Sequence, residues 1–180
     1  MNKNTFWPDA SKAGAIIGLV SIATTVMGIV VPSIAFVMSL VNFVATIYLL
    51  FYFTRRRSLL YIKEGFTYSQ SMGFIAATAI FAGIILGAYQ IIASNFLFTE
   101  HFEKTISELI TTYASLGAMD SKTLESLKET LHSYMFSPLP VLFSQIFSCL
   151  LSFCFYGLFI SIGTKREADI FLSNIEEDEE

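Results

Sequence analysis

Charge is what this sequence lacks most. Asp, Glu, Lys and Arg make up 14% of its 180 residues, against about 25% in an ordinary soluble domain. The few charges are bunched. Ala13–Thr54 is 42 residues without one, Gly65–Thr99 is 35 and Ser133–Thr164 is 32. A water-soluble enzyme domain would carry surface charge along such runs, so that class is excluded. A disordered chain is excluded by the 54% hydrophobic content. A disulfide scaffold is excluded by having only two cysteines, Cys149 and Cys154, both inside an apolar run. What is present, with a mean hydropathy of +0.61, is the composition of an integral membrane protein.

A crossing helix needs roughly 20 apolar residues, because about 30 Å of hydrocarbon is traversed at about 1.5 Å per residue. The first charge-free run is long enough for two helices, and Pro32-Ser33 near its middle marks the break. Pro138 and Pro140 suit a helix start. The sequence predicts four spans, at about 12–31, 34–53, 70–95 and 140–163. The first is too long for a signal-peptide core and has no small-x-small cleavage site after it, so it reads as a permanent span. Four spans put both termini on one side. That side carries eight of the eleven Lys and Arg residues, which predicts cytoplasmic termini. Phe6-Trp7-Pro8-Asp9 reads as an interfacial anchor, and Tyr48 and Tyr52 fit that role at the inner end of the second span. The acids of about 174–180 repel one another and predict a disordered tail.

One polar segment, about 99–136, faces outward. Phe102, Ile106, Leu109, Ile110, Tyr113 and Leu116 recur at helical spacing. Gly117-Ala118-Met119-Asp120 breaks the pattern, and Asp120 or Ser121 is the N-cap of a second helix striped by Leu124, Leu127, Leu131 and Tyr134 or Met135. An apolar stripe needs cover. This hairpin therefore lies on the outer membrane surface or caps the bundle, or else it docks a protein or ligand.

Chemistry-bearing patterns are scarce too. Ionisable residues inside spans usually mark ion paths and proton relays, and the predicted spans hold none beyond their ends. The candidate polar interior is Asn42, Gln90, Asn95 and Gln145, which serve as interhelical hydrogen-bond glue or line a path. No nucleophile stands beside a base, and no phosphate-binding glycine loop is present, so no catalytic residue is assigned. Glu100, His101, Glu103 and His132 match no zinc spacing; no metal or cofactor is expected. Cys149 and Cys154 read as small apolar fillers. Arg55, Arg56, Arg57 and Lys63 form the strongest charge cluster. It fixes topology, and these residues are the candidate headgroup contacts. The cluster is too short, and too close to the membrane, for a nucleic-acid role.

Small residues mark where helices can approach in lipid. Gly14 and Gly18 form one such face, with Ser21, Thr25 and Gly28 continuing it. Gly83 and Gly87 follow Ala79 on another, and Ser148 stands between Ser144 and Ser152 on a third. These faces serve the bundle or a homo-oligomer.

The order of parts resembles a known family. A helical pair is followed by a basic loop ending in Glu64-Gly65-Phe66-Thr67-Tyr68-Ser69-Gln70-Ser71-Met72-Gly73. A Gly-rich third span closes on Gly87-Ala88-Tyr89-Gln90-Ile91-Ile92, and the fourth ends at Lys165-Arg166. This layout is similar to the domain of unknown function 4199 family, small four-span membrane proteins found mostly in Bacteroidota. Gly65, Thr67, Tyr68, Gln70 and Ser71 stand where its members enter the third span, Ser71 in place of an expected Ala. The resemblance implies an inner-membrane location and carries over no catalytic residues.

The expectation is one all-α membrane domain, a four-helix bundle with an extracytoplasmic helical hairpin between helices 3 and 4. Its expected role is that of a non-enzymatic accessory or scaffold component acting through helix packing and the hairpin. Lipid, and a protein partner or a second copy of the chain, are its expected partners. The alternatives are a small transporter or channel component with a polar path, and a lipid-modifying enzyme using the arginine cluster as a clamp.

Overall fold

Helix formation reaches further than hydropathy at both ends of the first hairpin. The structure, a computed structural model, describes residues 5–62, 64–117 and 120–167. The acidic tail at about 174–180 and Lys63 lie outside them. The first helix, α1 (Phe6–Val30), begins six residues before the apolar stretch and includes Asp9 and Lys12. The second, α2 (Ala35–Ser58), runs through all three arginines where the sequence indicated a loop. Hydropathy locates only the apolar part of a helix. Arginine is itself a good helix former, and cations are favoured at a helix C-terminus by the backbone dipole.

Pro32 opens a single 3₁₀ turn, Pro32–Ile34, and the Val31 N–H still reaches the Met27 carbonyl at 2.9 Å. After a second 3₁₀ turn, Leu59–Tyr61, the chain reverses at Gly65, whose φ of +80° is costly for any residue with a Cβ. Then α3 (Tyr68–Ile92) starts on a reciprocal cap. The Thr67 N–H donates to Gln70 Oε1 at 2.9 Å, and the Gln70 N–H donates to Thr67 Oγ1 at 3.3 Å. The Gly-x-Thr-x-x-Gln run of the third-span entry thus has a local physical basis: a left-handed turn followed by a capping box. A π turn, Ala93–Leu97, follows α3. Three further helices follow among the described residues: α4 (Thr99–Ser115), α5 (Ser121–Phe136) and α6 (Pro138–Thr164).

Among the described residues four segments are long and apolar enough to cross a membrane: Phe6–Val30, Pro32–Tyr61, Tyr68–Leu97 and Pro138–Thr164. The protein is an all-α, multi-pass membrane protein. No strand occurs among the described residues, only one isolated antiparallel bridge between Phe66 and Arg166.

Contacts group the chain into two compact units, 1–85 with 146–180, and 86–145. In the first, glycines set the helix approach. A Cβ on Gly14 would lie 2.7 Å from both the Phe81 Cβ and the Thr78 carbonyl oxygen, so α1 and α3 touch backbone to backbone. A Cβ on Gly18 would lie 3.1 Å from Ile85 Cγ2, and one on Gly157 of α6 would lie 3.0 Å from Met72 Sδ. Gly83 is buried as well. The Gly14/Gly18 face is therefore occupied inside the chain. Ala10, Ala13, Phe74 and Ala77 form a buried cluster, with Phe6, Phe53 and Phe81 packed against it.

On α6 the buried positions are Val141, Cys149, Phe153, Gly157, Ile160, Ser161 and Thr164. Ser148 is exposed and does not join a packing face within the chain. The serine stripe lies one residue out of phase with the buried one, and one residue is about 100° around a helix.

Ser71, Ser161 and Thr164 are all buried and form a hydroxyl chain between α3 and α6. Ser161 donates to Ser71 Oγ at 2.8 Å, and Ser71 and Thr164 lie 3.1 Å apart. The Thr164 proton goes to the Ile160 carbonyl at 3.0 Å, so Ser71 donates to Thr164 and each hydroxyl spends its one proton. The serine that replaces an expected alanine is thus the middle link.

The second unit holds the end of α3, the π turn, α4, α5 and the start of α6. Gly117, at φ +63°, ends α4 in the left-handed conformation. Asp120 caps α5, accepting from the Thr123 N–H at 3.3 Å and from the Thr123 hydroxyl. Asn95 Nδ2 donates to the Phe136 carbonyl at 3.3 Å, one of the last carbonyls of α5 that lack a partner within the helix. A Cβ on Gly87 would lie 2.8 Å from Leu142 Cδ1, so α3 and α6 also meet closely here.

Candidate functional site

The most chemically distinctive feature of the first unit lies where α1 begins and α2 ends. Asp9 and Lys12 are three residues apart, on one face of α1; Phe53, Arg56 and Arg57 share one face of α2. Because the two helices are antiparallel neighbours, the acidic first turn of one meets the basic last turn of the other, and each charge also suits its own helix dipole.

Arg57 is the centre. Its side chain is 3% exposed, and its Nη1 donates to Asp9 Oδ2 at 3.0 Å. Its Nη2 donates to the Tyr61 hydroxyl at 3.3 Å. Three rings surround the guanidinium: Phe6 at 5.0 Å, Phe74 at 5.3 Å and Tyr61 at 5.8 Å from centroid to Cζ. Burying a cation is costly unless it is paired and solvated by fixed groups. Here a carboxylate, a phenol and three π faces supply that solvation. Asp9 Oδ2 also accepts from Thr5 Oγ1 at 2.8 Å, which helps to orient the carboxylate.

The expected cluster of four headgroup contacts thus divides. Arg57 is turned inward and held by Asp9, so it is not a free surface cation. Arg55 is exposed and sits 5.9 Å from the Phe51 ring. Arg56 is exposed and faces a cleft of about 140 Å³ lined by Asp9, Lys12, Phe53, Arg56, Arg57 and Phe74. Lys63 lies outside the described residues. Trp7 stands next to this site, 62% exposed and edge-on to Phe6 and Phe81 at 5.2 and 6.4 Å.

Sequence reasoning placed Asp9 in an anchor and did not pair it with Arg57. The recoverable signal was spacing. Asp9/Lys12 and Arg56/Arg57 recur on helical faces at the only charged ends of two adjoining apolar helices.

The predicted polar interior spreads over both units. In the first, Asn42 is half-buried on α2, and its Oδ1 is screened from solvent without a hydrogen-bond partner among the described residues. In the second, Asn95 is occupied by the Ile91 and Phe136 carbonyls. Gln145 is half-buried, its Cβ 3.5 Å from where a Gly87 Cβ would sit, and Gln90 is half-buried on α3. His132 stacks on Phe136 at 4.5 Å, and His101 lies edge-on to Phe102. Among the described residues no three His, Cys, Asp or Glu side chains converge as metal ligands would.

On the hairpin, Ile106 is buried, whereas Leu109, Tyr113, Leu116 and Tyr134 of the apolar stripe remain exposed, Leu116 at 68%. Outside the chain itself, nothing matches among curated proteins or among solved structures. The family model described as "Protein of unknown function (DUF4199)" does match, over residues 12–164, and across that much of the chain the protein belongs to the family.

Proposed function

We propose that this protein is a non-enzymatic component of the cytoplasmic (inner) membrane that works by contact, as an accessory or scaffold subunit, with both termini in the cytoplasm. The observation that carries the reading is the α4–α5 hairpin. It lies outside the four spans and keeps Leu109, Tyr113, Leu116 and Tyr134 exposed on an apolar stripe. Such a stripe is stable only against lipid, a partner or a second copy of the chain. The eight-to-three Lys/Arg division supports the orientation.

Purification in mild detergent is expected to retain a stoichiometric partner or a homo-oligomer. Leu109→Glu with Leu116→Glu is expected to release it. A wild-type protein that is strictly monomeric and free of partners refutes the reading. Orientation is tested in a variant without Cys149 and Cys154. A cysteine at exposed Ser121 is labelled from outside and one at exposed Ser69 is not; the reverse pattern overturns it.

The Asn42 Oδ1, without a hydrogen-bond partner among the described residues, favours a second reading, a small transporter or channel component with a polar path for which Asn42, Gln90, Asn95 and Gln145 are the candidate residues. Alanine at all four positions should abolish any flux measured in proteoliposomes. Unchanged flux refutes that path.

A further inference from the structure

We infer that the cleft between the start of α1 and the end of α2 is a seat for the phosphate of an anionic phospholipid. Its walls hold three cations, Lys12, Arg56 and Arg57, against one carboxylate, Asp9. Asp9 is committed to Arg57 at 3.0 Å, which leaves two positive charges, on Lys12 and Arg56, at its mouth without an acid partner among the described residues. Both residues are exposed, so their charges are available to an incoming group. The volume, about 140 Å³, is roughly ten times what a single water needs, enough for a phosphate-sized group.

Three observations identify a lipid as the source. The remaining lining is aromatic, Phe53 and Phe74, which suits the apolar neighbourhood of a glycerophosphate and repels a fully hydrated ion. The cleft lies where two apolar spans end and their first charges begin, the depth at which headgroup phosphates sit. Exposed Trp7, one turn or less from Asp9 on α1, is the residue type that favours that depth. The Asp9–Arg57 pair, its guanidinium buried, gives the seat a rigid wall, so Lys12 and Arg56 need not order the backbone around them. Two cations on adjacent helices also grip an anion in a way one flexible lysine does not.

The seat is independent of the scaffold reading: either can fail while the other stands. Arg55 provides the control. It is one residue from Arg56 and equally charged, but it lies outside the cleft beside Phe51. Native mass spectrometry or fluorescence titration of the purified full chain, with phosphatidylglycerol against phosphatidylcholine in mixed micelles, reads the effect. Retention of phosphatidylglycerol by wild type is expected to fall at least tenfold in Lys12→Gln/Arg56→Gln and clearly in Arg56→Gln. In Arg55→Gln it is expected to stay within twofold of wild type. Thermal unfolding of each variant checks that the exposed changes leave the fold intact. Equal loss in Arg55→Gln and Arg56→Gln would show general surface attraction and overturn the inference. So would equal retention of the two lipids. Displacement of phosphatidylglycerol by millimolar inorganic phosphate would overturn the assignment to lipid and make the seat one for a soluble phosphate.

Discussion

Replacing Gly14 by alanine and Gly73 by alanine is the same chemical change in two helix interiors, with different expected outcomes. A Cβ at Gly14 would stand 2.7 Å from the Phe81 Cβ and 2.7 Å from the Thr78 carbonyl oxygen, where ordinary contact starts at 3.4 Å. The obstacles include backbone, so α1 and α3 must part by several tenths of an ångström. Overpacking of that kind costs about 1–3 kcal/mol. At Gly73 nothing lies within 4 Å, so only the helix-propensity gain remains, about 1 kcal/mol. That gain is common to both variants and cancels between them. Gly14→Ala should therefore be less stable than Gly73→Ala by about 1–3 kcal/mol, a separation of roughly 2–12 °C in Tm for a chain of this size. The assay is thermal unfolding in detergent followed by tryptophan emission. Trp7 is the single tryptophan, and its ring packs 6.4 Å from that of Phe81, the residue a Gly14 methyl would push. Its emission should shift in folded Gly14→Ala and stay put in folded Gly73→Ala. A Gly14→Ala protein as stable as Gly73→Ala, with unchanged emission, would refute the close α1–α3 contact.

Three further outcomes are expected. Asp9→Asn strips the counterion from buried Arg57. Because the Asp9 carboxylate is 30% exposed, the cost should fall below the ~3–5 kcal/mol of a fully buried pair, and Asp9→Asn/Arg57→Met should recover part of it; a single variant as stable as wild type refutes the pairing. Ser71→Ala removes the middle of the hydroxyl chain and leaves the Ser161 hydroxyl without its acceptor, destabilising by about 1 kcal/mol, whereas Ser148→Ala at an exposed position should have no effect on the same thermal measurement. Asp120 is held below the usual carboxylate range by hydrogen bonds from the Thr123 hydroxyl and N–H. Its cap therefore contributes fully above the unfolded carboxylate pKa and is lost as pH falls through the lowered folded value; the Thr123 amide resonance should titrate at that depressed midpoint, and an ordinary carboxylate midpoint refutes the cap.

Much of this architecture is legible without coordinates because lipid simplifies the code. A span must be long, apolar and free of charge, so Ala13–Thr54 reads as two helices and Pro32 as the break between them. Local chemistry reads well too. A cap at Asp120 or Ser121 after a glycine-containing break is legible by residue type, with the Thr123 N–H selecting Asp120, and Gly14/Gly18 is a close approach by its lack of side chains. What a single sequence hides is the angular phase between helices. Ser144, Ser148 and Ser152 form as regular a stripe as the buried residues beside them, and only the neighbouring helix selects one stripe over the other. The Asp9–Arg57 pair was hidden for a different reason. Charge at a span end normally means water, and nothing within either helix says that two such ends face each other closely enough to exclude it.

The larger unit is discontinuous in sequence, built from 1–85 and 146–180, whereas 86–145 is one uninterrupted stretch. Synthesis proceeds from the N-terminus, so the continuous unit has all its residues before the discontinuous one does. Until α6 is inserted, Ser71 has neither Ser161 nor Thr164 to bond, and Phe66 has no Arg166 backbone to pair with. The first three helices must wait in the bilayer with an open, partly polar face. Completion then depends on contacts some 90 residues apart in sequence, such as the 90 separating Ser71 from Ser161, which are slow to form. A chain that stalls before α6 thus leaves Ser71 without its two α6 partners, a mark by which an unfinished copy differs physically from a finished one.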